Sequence, residues 1–342
     1  ASFIIAQEDK PKFINDKNKE DVNFIIDNAP SLSAFKRTKK LLSPYLLKKN
    51  WTRSTKILNW SKSIFLDKDE NFDTSYFDEL IDIISRKDKD FQRKAIPGQV
   101  NTQSDEYWPS IHYDFINDKQ FLYFTRIDGI FKKHEEIYVS EYDKIKNEWN
   151  TPYPVNSLNT KHSNEAVFSI SHDGNFLTMY RSKVSDNYRR GQEISSELFL
   201  AKKNRDKWDK PIRIPRPINA SNQFDAGGFL TKDGKYMLYY SDRKGSIGPH
   251  KRKTNEDYGN LDIYMSEKLE NDTWTEPYNL GPTINTSGSE LTPFLSHDEL
   301  TLYFSSNGHH GFGETDVFKS TRSNRNDWEN WSKPINLGKY VN

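Results

Sequence analysis

The sequence contains no cysteine among its 342 residues. This absence excludes disulfide bonds, thiolate metal sites, a cysteine nucleophile and a lipidated N-terminal cysteine within the sequence given. Neither sign of charge is in excess, because 50 Lys and Arg residues are matched by 49 Asp and Glu residues. The balance predicts no nucleic-acid partner and no attraction to an anionic membrane.

Long apolar runs are missing as well, and the mean hydropathy is low at -0.91. No stretch approaches the roughly 20 apolar residues of a membrane-spanning helix. Aromatic residues are nevertheless plentiful, with 21 Phe, 18 Tyr and 8 Trp. They supply enough large apolar surface for a packed core, so the chain is expected to fold rather than to stay disordered.

The chain opens with "ASFIIAQEDK", which is similar to the tail of a secretory signal peptide. Residues 1–19 are therefore predicted to be a leader remnant, and the protein is predicted to be exported. The alternative is that the first residues were added by cloning and precede an ordinary protein start. Residues 20–96 are predicted to be mainly helical and irregular, with Ser75 capping the second of two helices. Within them, "NWSKSIFL" echoes "NWSKPINL" near the C-terminus, so residues 51–66 are a candidate outer strand of a degenerate fifth repeat.

Four copies of one pattern fill residues 97–342. The copies open with "NTQSDEYWPSI", "NTKHSNEAVFSI", "NASNQFDAGGFL" and "NTSGSELTPFL", continue through two more strand-like runs, and close with Trp and Pro. Short aromatic and β-branched runs separated by polar turns predict a four-stranded antiparallel meander. Repeating the meander around an axis covers both faces of every sheet. The predicted fold class is therefore all-β, a β-propeller of four clear blades.

Turn chemistry explains an apparent catalytic triad. Ser296, His297 and Asp298 are adjacent, and similar elements recur at Ser171 and Thr231. Three adjacent residues at a hairpin turn do not form the relay geometry of a triad. No catalytic residue is predicted there.

The repeat "NT…E-x-x-P…DGxxLYFSS…DIY…W-x-x-P-x-N-L-G" covers roughly residues 97–341. It resembles the PD40, or WD40-like, propeller repeat of TolB-like proteins and of OmpA-associated envelope proteins of Bacteroidota, including a propeller component of their type IX secretion system. The resemblance implies a periplasmic or outer-membrane-associated protein that binds or scaffolds an envelope protein or a cell-wall glycan, with a larger complex as a further option. It does not by itself imply catalysis.

Strand order places the linkers between blades and the loops between second and third strands on one face. Variable loops on a rigid scaffold commonly carry recognition, so this face is the predicted binding face. Its candidate binding residues are four linker acids, an aromatic residue and a basic cluster: Glu106, Glu165, Asp225, Glu290, Trp108, His250, Lys251 and Arg252. Two alternatives stay open: the acids cap backbone amides of the inner strand, and Trp108 packs in the core.

Further recurring residues are assigned to the fold. The acid that opens each third strand is predicted to pair with an arginine near the end of the second strand, and the Trp that closes each copy is predicted to pack between blades. The acids are Glu136, Glu197, Asp262 and Asp316, the arginines are Arg126, Arg181 and Arg243, and the tryptophans are Trp149, Trp208, Trp274 and Trp331. Copy four has Asn307 in place of the arginine, which leaves Asp316 free or otherwise satisfied.

No cofactor or metal motif is recognised. His309 and His310 diverge on an extended segment, and a third ligand beside Glu314 is lacking. The leading functional hypothesis is therefore a non-catalytic binding propeller. The alternative is a carbohydrate-active enzyme, a glycosidase or lyase, that uses channel-mouth carboxylates present in single blades, such as Asp105 and Glu193.

Overall fold

A computed structural model describes Asn15 and residues 17–87, 94–127, 135–161, 163–171, 173–183, 197–205, 207–220, 223–248 and 260–342. These residues form two compact units. The helical unit contains the described part of residues 1–92 together with His310–Val317 and Asn336–Asn342. The propeller unit contains the described part of residues 93–309 together with Phe318–Ile335.

The helical unit is built on α1 (Lys19–Asn28), α2 (Leu32–Leu47), α3 (Trp51–Lys68) and α4 (Ser75–Ser85). The apolar sides of the helices meet in one core, in which Leu42, Phe65 and Phe77 are fully buried. Ser31 and Asn50 cap α2 and α3, because each side chain accepts a hydrogen bond from a first-turn amide. None of the described helices is both long and apolar enough to cross a membrane.

Two local predictions for this region are wrong. Residues 51–66 lie in α3 and not in an outer strand, so they supply no fifth blade. The reason is the spacing of the buried residues, since Ile57, Ser61 and Phe65 recur every four positions and therefore share one side of a helix. Ser75 is the first helical residue of α4 and makes no side-chain cap.

The predicted β-propeller is confirmed, with four blades of antiparallel strands. Blade one contains β1 (Asp105–Asp114), β2 (Lys119–Ile127), β3 (Glu135–Asp143), β4 (Glu148–Trp149) and β5 (Tyr153–Pro154). Blade two contains β6 (Ser163–Ile170), β7 (Phe176–Lys183), β8 (Glu197–Asn204), β9 (Lys207–Trp208) and β10 (Ile212–Arg213). In both blades the short outer strands pair with the third strand.

Blades three and four follow the same order with one short outer strand each. Blade three contains β11 (Asp225–Leu230), β12 (Tyr236–Ser241), β13 (Asp262–Glu267) and β14 (Tyr278–Asn279). Blade four contains β15 (Glu290–Leu295), β16 (Thr301–Ser306), β17 (Asp316–Thr321) and β18 (Ile335–Asn336). The blades therefore repeat the meander that the sequence predicted.

Three of the recurring tryptophans pack between blades, as predicted. Trp208 of blade two lies against Tyr123 of blade one, with 5.9 Å between the ring centroids. Trp274 shares a core with blade two, and Trp331 shares one with blade three. Trp149 instead packs within blade one. These large side chains exclude water from the blade boundaries, which stabilises the stacking of one sheet on the next.

Every inner strand carries a β-bulge, in which extra residues interrupt the pairing with the second strand. In blade one the bulge lies between Tyr107 and Ser110, and Trp108 within it has a φ of 50°. In blade three Gly227 has a φ of 70°, and an added Cβ would overlap the ring of Tyr240. The bulges thus turn selected side chains away from regular sheet positions.

Candidate functional site

The four predicted linker acids lie at or near the start of the inner strands, where each accepts hydrogen bonds from neighbouring residues. In three blades the acid forms an ion pair with an arginine: Glu106–Arg126 at 3.0 Å, Glu165–Arg181 at 3.0 Å and Asp225–Arg243 at 2.7 Å. Each guanidinium also donates to a backbone carbonyl of the preceding linker. The pairs therefore tie the linkers to the blades.

Backbone amides complete the environment of these acids. Glu106, Asp225 and Glu290 accept hydrogen bonds from amides of their own linkers at 3.3, 3.1 and 2.8 Å. The capping alternative is therefore confirmed for these three acids. A ligand-binding role for the linker acids stays a prediction.

The predicted pairing of arginines with the third-strand acids is wrong in blade two. Arg181 lies in register with both Glu165 and Glu197, but its guanidinium contacts Glu165. Glu165 is fully buried and needs a charged partner, whereas the half-exposed Glu197 pairs with Arg213 at 2.7 Å. Burial decides which carboxylate the arginine meets.

Blade three departs from the prediction in the same way. Arg243 contacts Asp225, while Asp262 accepts hydrogen bonds from a backbone amide and from Asn279. In blade four Asp316 is satisfied by a backbone amide and by Asn336. The prediction that Asp316 is otherwise satisfied is therefore confirmed.

Trp108 lies at the boundary of blades one and two and is half-buried. Its ring centroid is 5.0 Å from that of Phe168, 5.9 Å from that of Tyr180 and 5.1 Å from that of Tyr107. The indole therefore packs against three aromatic rings and stays partly exposed. Binding by Trp108 stays a prediction.

The predicted basic cluster, His250, Lys251 and Arg252, lies outside the described residues, as does Glu193. Most of the two longest loops between second and third strands, in blades two and three, lies outside them too. The candidate site among the described residues lies in blade one and at its boundary with blade two.

Two acids occur in blade one alone. At the position of Asp105, the other blades have Asn164, Phe224 and Ser289, and at the position of Glu135 they have Ser196, Leu261 and Thr315. Asp105 was a candidate from the sequence, whereas Glu135 was missed because the adjacent Glu136 already matched the repeat. The signal that identifies Glu135 is the acid doublet, which the third strands of the other copies lack.

The sheet register brings these two acids to one edge of blade one. Asp105 lies directly opposite Ile127, and Ile127 lies directly opposite Glu135. Residues in direct register point to the same side of a sheet, with Cα atoms about 5 Å apart on neighbouring strands. Asp105 and Glu135 therefore share a face with about 10 Å between their Cα atoms. This register confirms that linkers and loops between second and third strands share one edge.

Glu135 has an unusual environment for a glutamate. Tyr107 donates a 2.6 Å hydrogen bond from Oη to Glu135 Oε1, whereas Oε2 has no hydrogen-bond partner among the described residues. Burial raises the pKa of Glu135, and the bond from Tyr107 opposes the rise in part. Asp105, in contrast, is exposed to solvent. The two carboxyl groups thus differ in their access to water.

The adjacent histidines of blade four are engaged separately. His309 Nε2 lies 2.8 Å from the carbonyl oxygen of Ile284, and His310 Nδ1 lies 3.0 Å from Glu79 Oε2. In the described ranges of the chain, no group of three or more His, Cys, Asp or Glu side chains converges on a point.

The Ser-His-Asp element is a turn, as predicted. Ser296 Oγ donates to Asp298 at 2.5 Å and accepts a hydrogen bond from the amide of Thr301 at 3.0 Å. These short-range bonds close the hairpin between β15 and β16.

A cavity of about 380 Å³ opens between blades two and three, beside the hairpin turn of blade three. Its lining combines charged residues with apolar ones, among them the buried Trp274. Of the acids that line it, Asp233 accepts hydrogen bonds within its own turn and Asp272 pairs with Lys268. The described acids that line this cavity are all exposed, so they do not contrast in burial as Asp105 and Glu135 do.

No family model matches the sequence, and no curated protein matches it. Similarity to PD40 proteins therefore stays a resemblance, whereas the propeller fold is established by the structure. Among solved structures, levansucrase from B. megaterium has a TM-score of 0.45 and 9% identity over 70% of this chain and 74% of that chain. An exo-β-1,3-galactanase from Clostridium thermocellum has a TM-score of 0.43 and 15% identity, covering 69% and 49%. A prolyl endopeptidase has a TM-score of 0.35 and 15% identity, covering 65% and 29%.

The prediction that the protein is not an enzyme is contradicted by this comparison. Several of the matched structures are carbohydrate-active enzymes, among them arabinofuranosidases as well as the galactanase and the levansucrase. The chain spans about half the length of the galactanase and less than a third of the prolyl endopeptidase. At these identities the likeness is one of fold, and it assigns neither a substrate nor a residue to this chain.

Proposed function

We propose that this protein is a carbohydrate-active propeller enzyme that hydrolyses glycosidic bonds at the edge of blade one. The observation that carries the proposal is the pair Asp105 and Glu135. Both acids depart from the repeat, both lie on one face of the sheet, and they differ in exposure. Structural residues of a propeller recur from blade to blade, so paired departures of this kind indicate a site.

The two environments suit the two roles of a glycosidase. Glu135 is half-buried with a raised pKa, which favours the protonated form that donates to the leaving-group oxygen. Asp105 is exposed, where water hydrates a carboxylate charge. As the bond from the anomeric carbon to the leaving oxygen breaks, a water oxygen bonds to that carbon, Asp105 takes the water proton and Glu135 gives its own proton to the leaving group.

The spacing also fits this chemistry. Inverting glycosidases separate their carboxyl groups by about 6.5–9.5 Å so that a water molecule fits between them. When two Cα atoms lie about 10 Å apart on one sheet face, the carboxyl groups that their side chains carry reach separations within this range. Tyr107 contacts Glu135 and Trp108 packs against the ring of Tyr107, so the two residues supply aromatic surface on which a sugar ring stacks.

The export predicted from the N-terminal residues belongs to the same proposal. An exported enzyme of this kind meets glycans of the cell envelope or of its surroundings, so polysaccharides are the proposed substrate class. The envelope protein partner predicted from the PD40 resemblance is likewise a proposal.

Hydrolysis of a panel of aryl glycosides and envelope and plant polysaccharides tests the function. The variants Glu135→Gln and Asp105→Asn are expected to lose 100-fold or more in kcat/KM. Glu141→Gln is the matched control, because Glu141 lies in the same strand β3 and pairs with Lys119 near the opposite edge. An inactive wild-type protein across the panel, or a fully active Glu135→Gln variant, contradicts the proposal.

A further inference from the structure

Blade four departs from the repeat in its charges. In blades one and two, the residue directly opposite the linker acid is an arginine, whereas Ser306 lies opposite Glu290. Glu290 is fully buried and accepts hydrogen bonds from the hydroxyl groups of Thr286 and Ser306 at 2.8 and 2.7 Å. Its carboxylate therefore has neutral donors where the others have a guanidinium.

A second carboxylate lies beside Glu290 across the boundary of blades three and four. The amide of Glu290 donates to the carbonyl of Leu261 at 2.6 Å, which places Asp262 next to it. Asp262 is also fully buried. Its Oδ2 accepts hydrogen bonds from the amide of Ile247 and from Asn279, both at 2.7 Å, but its Oδ1 has no partner among the described residues.

Two buried carboxylates are costly when no cation among the described residues contacts them. Neither Asp262 nor Glu290 forms an ion pair with any described residue, and the charge of Glu290 acts unfavourably on Asp262. Removing one such charge from water costs several kcal/mol unless a positive charge compensates it. The unpartnered Oδ1 marks the point at which compensation is missing.

We propose that Asp262 and Glu290 bind a divalent cation, with Ca²⁺ as the fitting ion. Calcium prefers carboxylate and carbonyl oxygens and accepts irregular geometry, which suits two acids beside the linker that precedes β15. Backbone carbonyls and water complete the coordination. The ion replaces, at the boundary of blades three and four, the guanidinium that neutralises the linker acid elsewhere.

Thermal unfolding of the full chain after EDTA treatment, with Ca²⁺ or Mg²⁺ added back, tests this site. Calcium at a hundred times its Kd is expected to raise Tm by about 5 °C, and isothermal titration is expected to give one site per chain. Asp262→Asn and Glu290→Gln are expected to abolish the response. Glu276→Gln, which changes an exposed acid of the same blade region, is expected to keep it.

A third variant keeps the test decisive if Asp262→Asn or Glu290→Gln does not fold. Ser306→Arg copies the register of blades one and two and supplies the positive charge from the chain itself, so it is expected to stay folded without Ca²⁺ and to lose the calcium response. The proposal is overturned if wild-type Tm is indifferent to Ca²⁺ and EDTA. It is also overturned if the Tm of Asp262→Asn responds to Ca²⁺ as strongly as the Tm of Glu276→Gln.

Discussion

Tyr107 and Glu135 are joined by a 2.6 Å hydrogen bond from the phenol to a carboxylate oxygen. The phenol is the only donor to this carboxylate among the described residues. Burial raises the pKa of Tyr107, and the neighbouring Glu135 raises it further, so the phenol stays a donor at all ordinary pH values. The bond therefore favours the charged form of Glu135 and opposes in part the larger effect of burial on its pKa.

Tyr107→Phe is expected to raise the pKa of Glu135 further, because burial remains while the stabilising bond is lost. A carboxyl group whose folded pKa is raised contributes stability that is present at low pH and is lost as the pH rises through the folded pKa. The variant should therefore lose about 2 kcal/mol at pH 7.5, where the bond is charge-assisted, and about 1 kcal/mol at pH 4. Urea unfolding at both pH values measures the difference.

Tyr113→Phe is the control, because its hydrogen-bond partner Asp118 is exposed. An equal cost of Tyr107→Phe at both pH values would contradict the expectation.

Blade two contains two arginine–glutamate pairs that differ in burial. Arg181→Ala leaves the buried Glu165 without its counter-charge and is expected to cost about 3–5 kcal/mol in the free energy of unfolding. Arg213→Ala breaks the pair with Glu197, whose side chains are 40% and 39% exposed, and is expected to cost less than about 1 kcal/mol. Chemical denaturation of both variants decides the comparison. Similar losses in the two variants would mean that burial does not determine how much these ion pairs contribute to the free energy of unfolding.

Asp262 is expected to make stability depend on pH when no divalent ion is present. Burial, with a contribution from Glu290, raises the pKa of Asp262 to about 6. Its stabilising contribution is then complete below about pH 4 and is lost as the pH rises through 6, by an amount on the order of 3 kcal/mol. Tm measured in EDTA from pH 4 to pH 8 should fall less steeply for Asp262→Asn than for the wild type. Parallel curves would refute the assignment.

Two glycines with the same φ angle distinguish the cost of backbone strain from the cost of side-chain overlap. Gly227 and Gly234 both have a φ of 70°, but an added Cβ at Gly227 overlaps the ring of Tyr240, whereas nothing lies within 4 Å of one at Gly234. Gly234→Ala is expected to cost about 1 kcal/mol from backbone strain alone. Gly227→Ala adds overpacking and is expected to cost about 3 kcal/mol. Thermal unfolding of the two variants measures this, and equal costs would show that the Tyr240 ring moves aside freely.

The helical segment shows why short sequence echoes mislead. The stretch at residues 51–66 shares letters with the last outer strand, yet Ile57, Ser61 and Phe65 bury one side of a helix. A few matching letters do not specify a strand, since burial against other helices sets the period that the segment adopts. The prediction of the four blades was correct because each blade was indicated by a whole unit of strands and turns and not by a few matching letters.

The sequence alone determined the four blades, their antiparallel strands and their hairpin turns, because turn chemistry and apolar alternation are local properties that repetition makes unambiguous. Only the tertiary structure decided which acid each arginine meets, that Glu135 and Asp105 share a face, and that Asp262 and Glu290 are buried together. Those relationships depend on strand register and on exclusion of water at blade boundaries. Both arise from contacts between residues distant in the chain, and no local pattern specifies them.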